Sequence, residues 1–158
     1  MEKNKKYCIF PIAYKRENNF EILPELDLTR ISEVWGYEII PGIILAKKCG
    51  SNGSVETTTW DNVKSFAESC RLNGKQGKLP SSRMLTQNWI DGLNANIQTM
   101  DKFLCENGID AEKVYRGIIW CSELHDTKTA YTFISNYRHL CFGSKNFNAT
   151  NDRIAIAF

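Results

Sequence analysis

The chain has 158 residues, of which 42% are hydrophobic and 24% charged, and its 20 basic and 18 acidic side chains leave a formal net charge of +2. This length and composition are typical of a folded domain with a sizeable core, and they exclude a disordered or fibrous chain. The near balance of charge argues against a nucleic-acid partner, which needs a basic patch. We therefore expect a single domain over residues 1–158.

The first part of the chain predicts strands and loops. Tyr7–Tyr14 is mostly apolar and predicts a first β-strand. Phe20–Tyr37 is mixed in character, and Pro24 prevents a long helix there. The β-branched run at Gly42–Ala46 predicts a further strand, and the glycine- and serine-containing segment Lys47–Glu56 predicts a loop.

Two helices are predicted next. Apolar residues spaced by three and four from Trp60 to Cys70 indicate an amphipathic helix, which the hydroxyl of Thr58 or Thr59 would cap. Pro80-Ser81-Ser82 opens a second helix with a serine cap, and its apolar pattern runs on until Asn107-Gly108 ends it. Gly92 weakens the middle of this helix and allows it to break in two.

The last third of the chain is typical of β-structure. Short apolar or aromatic runs predict strands at Gly117–Cys121, Ala130–Ser135, His139–Phe142 and Asp152–Phe158. An apolar segment that ends on Phe158 is expected to be held in a sheet. Strands, two helices and a second run of strands make an α+β domain.

Neither a membrane span nor an export signal is expected. No apolar run approaches the roughly 20 residues that a spanning helix needs. The basic N-terminus followed by Tyr7–Tyr14 could mimic a signal peptide, but Pro11 interrupts the apolar stretch and no small-residue cleavage site follows it. We therefore expect a cytoplasmic protein, with a phage particle or a cell surface as the alternative. The six cysteines are widely spaced without a CxxC pair, which favours free thiols or buried side chains.

Several short motifs occur in the order known from one protein family. Gly77–Ser81 is similar to the element G-x-W-R-L-P-[ST], and Ile118–Glu123 is similar to the strand Y-W-S-S-T-E. Ala130–Phe133 is similar to A-W-x-V-x-F, and Gly143–Lys145 is similar to G-x-x-x-K. The last segment, Asp152–Phe158, is similar to Y-V-R-x-V-x-x-F. The set resembles bacterial C-type-lectin-like domains, which include relatives of the formylglycine-generating fold. The resemblance covers residues 42–158, and residues 1–41 match nothing in it. This chain departs from the family pattern at Lys78, which replaces a Trp-Arg pair, and at Cys121, which replaces a serine.

This resemblance implies a C-type-lectin-like fold with two helices packed on short antiparallel sheets and paired terminal strands. Family members are mostly binding modules, some of them phage or bacterial receptor-binding proteins and adhesins, and a subset is diversified by retroelements in the last strands. The resemblance therefore implies a module that binds a protein or glycan, with no catalytic residues, metal or cofactor. Exposed aromatic and asparagine side chains suit such adaptable recognition. The candidate binding residues are His125, Asp126, Tyr137, His139, Phe142, Asn146, Phe147 and Asn148.

Two other functions stay open. One is a Cys2His2 zinc site formed by Cys121, His125, His139 and Cys141, since His139 and Cys141 share a strand face. The same residues could instead supply a cysteine nucleophile, Cys121 or Cys141, with His125 or His139 as its base. No nucleophile motif surrounds either cysteine, and the cysteine context of the formylglycine-generating enzymes is absent. A structural subunit of a phage tail or surface appendage is the third hypothesis.

Overall fold

The computed structural model describes residues 3–47, 59–88, 93–111, 118–134, 139–146 and 153–158. The chain begins with a long hairpin of β1 (Lys5–Arg16) and β2 (Asn19–Asp27). The predicted strand at Tyr7–Tyr14 lies within β1 and is confirmed. The predicted loop at Lys47–Glu56 falls almost entirely outside the described residues.

The remaining elements follow in chain order. They are a 3-10 helix (Leu28–Glu33), β3 (Val34–Ile40), β4 (Ile43–Ala46), α1 (Trp60–Ser69), β5 (Arg71–Leu72), β6 (Lys75–Gln76), α2 (Ser82–Asn88), α3 (Leu93–Glu106), β7 (Ile118–Leu124), β8 (Thr129–Ile134), β9 (His139–Ser144) and β10 (Ala155–Ala157). The strands form a seven-stranded sheet in the order β10-β4-β3-β1-β2-β5-β6 and a three-stranded sheet in the order β7-β8-β9. The predicted α+β class is confirmed.

The C-terminal strand is held in the large sheet, as the sequence predicts. β10 pairs antiparallel with β4, with Ile156 opposite Ile44, and Lys78 forms a further bridge to Ala157. β4 is the first strand of the stretch that carries the family resemblance. The pairing of the N- and C-terminal strands that the resemblance implies is not found in the described part of the chain, because the first strand, β1, pairs with β2 and β3 and lies two positions further into the sheet.

The large sheet is covered on both faces at β4. In β4, Ile43 and Leu45 belong to one core cluster, while Ile44 and Ala46 belong to the other. The first cluster contains the apolar side chains of α2 and α3, and the second contains those of α1. A strand covered on both faces is apolar at every position, which explains the continuous run in β4.

The predicted number of helices is too low. The described ranges contain three α-helices and the 3-10 helix, because the predicted second helix is divided into α2 and α3. Gly92, to which the sequence assigns the break, lies outside the described residues. None of the described helices is long and apolar enough to cross a membrane.

The helix ends confirm two predictions and correct one. The hydroxyl of Ser81 accepts a hydrogen bond from the Met84 amide at 3.0 Å and caps α2. At the end of α3, Gly108 has a φ of +80°, and the Ile109 amide bonds the Leu104 carbonyl at 2.9 Å, a Schellman-type cap. Thr59 occupies the N-cap position of α1, but its side chain makes no capping hydrogen bond, so that prediction is wrong for Thr59.

The segment Phe20–Tyr37 contains more strand than its composition suggests. It supplies most of β2 and half of β3, joined by the 3-10 helix. Pro24 lies in β2 where the register against β1 shifts between Tyr7 and Ile12. A proline is tolerated at such an irregularity because no ladder hydrogen bond is required from it there.

Candidate functional site

A tight turn between β7 and β8 places His125 at one end of the three-stranded sheet. The His125 amide donates to the Thr129 carbonyl at 2.9 Å, and the two side chains meet with 3.0 Å between Nδ1 and Oγ1. Inside the turn, Asp126 Oδ1 accepts from the amides of Lys128 and Thr129 at 2.8 and 2.9 Å. These bonds fix the backbone of the turn and so the position of the imidazole.

The His125 ring lies flat on Phe142. The two ring centroids are 3.8 Å apart, with an interplanar angle of 2°. Tyr131 meets the imidazole edge-on, with a centroid distance of 5.5 Å. β8 and β9 bring these rings together because Tyr131 and Phe142 are opposite each other in the register. Stacked and edge-on arrangements are the favourable geometries for aromatic pairs.

A fourth apolar side chain extends this surface. Leu140 lies two residues before Phe142 on β9, so both project from the same face of the sheet. Phe142 is 56% exposed and Leu140 36% exposed. We call the surface formed by His125, Tyr131, Leu140 and Phe142 the aromatic face. Exposed large apolar side chains that adjoin one another are typical of contact surfaces.

The strands that carry this surface are firmly packed. Phe133 and Ile119, which are opposite each other in β8 and β7, lie on the same face of the sheet as Tyr131 and Phe142 and belong to the core cluster that contains α2 and α3. Trp120 belongs to the other cluster, and its ring lies against Gly143 of β9. Beyond β9, Lys145 bonds the Lys128 carbonyl through its amide and accepts from the Trp60 amide. The aromatic face therefore has a rigid support.

The charge at this end of the sheet is mixed. The backbone amide of Lys128, assisted by hydrogen bonds from Thr129, lowers the pKa of Asp126 below its usual value. Asp126 therefore carries its negative charge at neutral pH, 3.5 Å from His125 Nδ1 through Oδ2. Its Oδ1 is occupied by the turn, so Asp126 has a structural role in addition to its place at the predicted site.

The structure brings four of the predicted binding residues to one end of the sheet. His125 and Phe142 are in direct contact, Asp126 follows His125, and Asn146 is exposed in the turn after β9, next to the β7–β8 turn. His139 begins β9 opposite Ile134, at the far end of the sheet. Three predicted residues lie outside the described ranges, namely Tyr137, Phe147 and Asn148.

Two members of the aromatic face are absent from the sequence-based prediction. Tyr131 falls in a motif used to identify the family, and Leu140 is apolar and resembles a core residue. The alternation of Leu140 and Phe142 in one strand is a signal that they share a face. The sequence does not predict that the face of β9 that carries Leu140 and Phe142 is open to solvent.

The two histidines that the sequence offers for a zinc or cysteine site are not neighbours in the three-stranded sheet. His125 and His139 lie beside opposite ends of β8, at Thr129 and Ile134, which separates their backbones by about 16 Å. Cys121 is fully buried, and this burial, with a smaller effect from Glu123, raises its thiol pKa to about 12. Among the described residues, no group of three or more His, Cys, Asp or Glu side chains is arranged to hold a metal ion.

No protein-family model matches the chain, and none of the curated proteins matches it either.

Proposed function

We propose that the chain is a C-type-lectin-like binding module, and that the aromatic face is its contact surface for a protein or glycan ligand. The observation that carries the proposal is the exposed stack of Phe142 on His125, fixed on a well-packed sheet. Aromatic rings give a large contact area at a small cost in conformational entropy, because they have few rotatable bonds.

The order of elements supports the lectin-like part of the proposal. β4 is followed by the helices, then by the three-stranded sheet, and the chain returns in β10 to pair with β4. In this arrangement the β7–β8–β9 sheet is an excursion between α3 and β10, and the pairing of β10 with β4 returns the chain to the large sheet. Such excursions can vary in sequence without disturbing the framework, as binding surfaces on a scaffold require.

The burial of Cys121 also favours binding over cysteine chemistry. A nucleophilic thiol needs an exposed, electropositive setting that lowers its pKa. Cys121 has the reverse environment, since burial and the neighbouring Glu123 carboxylate both raise its pKa. The proposal therefore includes no catalytic step.

The experiment is to probe glycan and peptide arrays with the labelled protein and with two variants. Phe142→Ala removes most of the exposed ring area, and we expect it to weaken binding to any array ligand by at least about tenfold, the effect of losing a central aromatic contact. Leu124→Ala is the matched control. Leu124 is 47% exposed on the same sheet, but its cross-strand partner Ala130 belongs to the core cluster opposite the aromatic face.

Both variants should unfold at the temperature of the wild-type protein, because the altered side chains are largely exposed. Retention of array binding by Phe142→Ala, or equal loss in both variants, would show that the contact surface lies elsewhere. If no ligand on either array is bound above background by the wild-type protein, the proposed recognition of proteins or glycans is contradicted.

A further inference from the structure

We propose that β9 pairs antiparallel with β9 of a second copy of the chain, so that the two three-stranded sheets join into one six-stranded sheet in a closed dimer. The interface is the outer edge of β9, which faces sideways from the sheet, whereas the aromatic face looks out from it. This edge pairs whether or not the aromatic face holds a ligand.

The backbone of β9 is oriented by the hydrogen bonds of the turn between β7 and β8. The His125 amide donates to the Thr129 carbonyl at 2.9 Å, so the backbone groups of Thr129 point towards β7. Backbone direction alternates along a strand, and those of Ala130 therefore point towards β9, where Ala130 forms a hydrogen-bonded pair with Gly143. The amide and carbonyl of Gly143 thus point towards β8.

A second hydrogen bond gives the same orientation. The Lys145 amide donates to the Lys128 carbonyl at 2.9 Å, which places it on the β8 side of the strand. The even-numbered positions have the opposite orientation, so the amides and carbonyls of Leu140, Phe142 and Ser144 point away from β8. Within the described residues, β8 is the only strand that pairs with β9. These outward groups therefore form a strand edge.

This edge has none of the features that usually prevent two strand edges from pairing. β9 contains no lysine, arginine, aspartate, glutamate or proline, and its register with β8 runs without a bulge over all six residues. Leu140 is 36% exposed and Phe142 56% exposed. Natural proteins place charges, prolines or bulges on an open apolar edge, because such an edge is a template for another strand. The edge of β9 is therefore suited to a partner strand.

An identical copy of β9 fits this edge by symmetry. Antiparallel pairing about a two-fold axis at Cys141 puts Leu140 of each copy opposite Phe142 of the other. Both residues have outward backbone groups, so each of these pairs exchanges two hydrogen bonds. The same register brings the exposed leucine and phenylalanine side chains into cross-strand contact twice. An axis at Phe142 would instead set Leu140 against Ser144, which has no apolar side chain to offer.

The opposite edge of the small sheet is partly covered, which favours a dimer over a longer array. On β7, the Ser122 amide donates to the Pro80 carbonyl at 3.0 Å, and the Glu123 carboxylate accepts from the Ser82 amide at 2.8 Å. The segment that leads into α2 therefore lies along this edge. Two-fold pairing through β9 uses the remaining edge of both copies at once, as closed two-fold assemblies do.

The charged side chains near β9 do not oppose the pairing. Asp126, Lys128 and Lys145 include both signs and lie in the turns beyond the paired residues 139–143, and Lys145 Nζ is 5.3 Å from the centroid of the Trp60 ring. Eight residues separate Lys145 of one copy from Lys145 of the other along the paired strands, a distance of about 26 Å over which salt screens the repulsion. Arg138 precedes β9 and lies outside the described residues.

Sedimentation equilibrium of the purified chain tests the pairing. A short strand interface gives a weak dimer, and we expect a dissociation constant of about 100 μM or lower. Leu140→Lys places a charge on the edge and should weaken self-association at least about tenfold. Leu124→Lys is the matched control, because it makes the same change at a 47% exposed leucine of β7, and it should dimerise as the wild type does.

A second pair of variants separates the backbone of the edge from its side chain. Leu140→Pro removes an amide that points away from β8, so it should leave the small sheet intact and abolish dimerisation. Leu140→Val keeps the amide and should retain the dimer. Circular dichroism checks that both variants are folded, and if the proline variant is unfolded, Leu140→Lys decides the outcome.

Cys141 allows the register to be trapped. In the proposed pairing, the Cys141 residues of the two copies form a non-bonded pair with Cα atoms about 4.5 Å apart, a spacing that a disulfide can bridge. Cys141 is a free thiol. Diamide, which is reduced as it oxidises two thiols, should therefore give a covalent dimer whose linked peptides both contain Cys141. Cys141→Ser should lose this product, whereas Cys105→Ser, at an exposed thiol of α3, should retain it.

Three results would overturn the proposal. They are a wild-type chain that stays monomeric at 1 mM, a dimer that is equally strong in Leu140→Lys and the wild type, and a diamide product that does not involve Cys141. A monomeric chain whose β9 amides shift in 15N spectra when a peptide of alternating valine and threonine is added would assign the edge to a strand of another protein.

Discussion

Arg153 and Asp101 form a buried ion pair that ties the C-terminal segment to α3. Arg153 Nη2 donates to Asp101 Oδ2, and both residues are about 5% exposed or less. The Tyr37 hydroxyl donates to Asp101 Oδ1 at 2.6 Å and accepts from Arg153 Nη1 at 2.8 Å. Burial raises the pKa of Tyr37, so the hydroxyl keeps the proton that it donates. The cluster thus joins β3, α3 and the segment before β10.

Asp101→Asn should destabilise the protein by about 3–5 kcal/mol, because the substitution leaves the Arg153 charge buried without its carboxylate. The free energy of unfolding in urea measures the effect. Glu68→Gln is the control, since Glu68 pairs with Lys64 at 2.8 Å on an exposed helix surface, where such pairs contribute less than about 1 kcal/mol.

A double variant tests whether the pair acts as a unit. Asp101→Leu combined with Arg153→Met removes both charges, and it should cost much less than the sum of the two single substitutions. Strict additivity would contradict the coupling between Arg153 and Asp101.

Gly36→Ala should prevent stable folding. A Cβ atom on Gly36 would lie 1.9 Å from the Leu45 carbonyl oxygen, because β3 and β4 pair closely there. Backbone atoms of a central strand cannot move aside, so we expect a loss of more than about 3 kcal/mol. Circular dichroism during thermal unfolding measures this loss.

Gly143→Ala is the matched control in β9. The nearest atom that its Cβ would meet is in the Trp120 ring, at the ordinary contact distance of 3.9 Å. The melting temperature of this variant should stay within a few degrees of the wild type. A stable Gly36→Ala variant would show that the approach of β3 and β4 is looser than described.

The elements that the sequence predicts well are those with a clear local period. Trp60, Val63 and Ala67 lie on the buried side of α1, as their spacing indicates. β2 is missed because its charged residues and Pro24 obscure the alternation, and only pairing with β1 makes it a strand. The resemblance to C-type-lectin-like domains stays a prediction.

The site is less predictable than the helices because it depends on contacts between distant residues. His125 and Phe142 are both predicted binding residues, but their stacking follows from the register of three strands. Asp101 is an acidic residue on an otherwise apolar face of α3, and its partner Arg153 is 52 residues away. No local pattern in the sequence links such pairs.

The cysteines should differ widely in reactivity. Burial, with a smaller effect from Glu123, raises the pKa of Cys121 from 9.0 to about 12, which lowers its thiolate fraction about a thousandfold. Cys105 is exposed at the end of α3. A brief treatment of the native protein with iodoacetamide, followed by peptide mass spectrometry, should show modification of Cys105 well before Cys121.

Two controls accompany this measurement. In urea, the accessibility of Cys121 should rise to that of the other cysteines. Rapid alkylation of Cys121 in the native protein would contradict its burial and would favour the cysteine-based alternative function.

Glu123 links the three-stranded sheet to the start of α2. Its Oε1 accepts from the Ser82 amide at 2.8 Å and from the Ser122 hydroxyl at 3.0 Å, and its Oε2 accepts from the Ser82 hydroxyl. Partial burial raises the pKa of Glu123, but the hydrogen bonds from Ser82 and Ser122 outweigh this effect and hold the pKa below its ordinary 4.5. The ionised carboxylate is therefore the form that the fold favours.

Stability should accordingly fall in acid. A carboxylate whose pKa is lower in the folded than in the unfolded protein stabilises the fold above the unfolded pKa, and this contribution is lost as the pH falls through the folded pKa. Glu123→Gln should cost about 1 kcal/mol at neutral pH, as for the loss of a helix cap, and its stability should decline less than that of the wild type below pH 4.5. Urea midpoints measured from neutral pH downward test both effects. Parallel curves for Glu123→Gln and the wild type would show that Glu123 does not contribute to the acid sensitivity, and Ser82→Ala, which removes one of the two Ser82 donors, should give an intermediate slope.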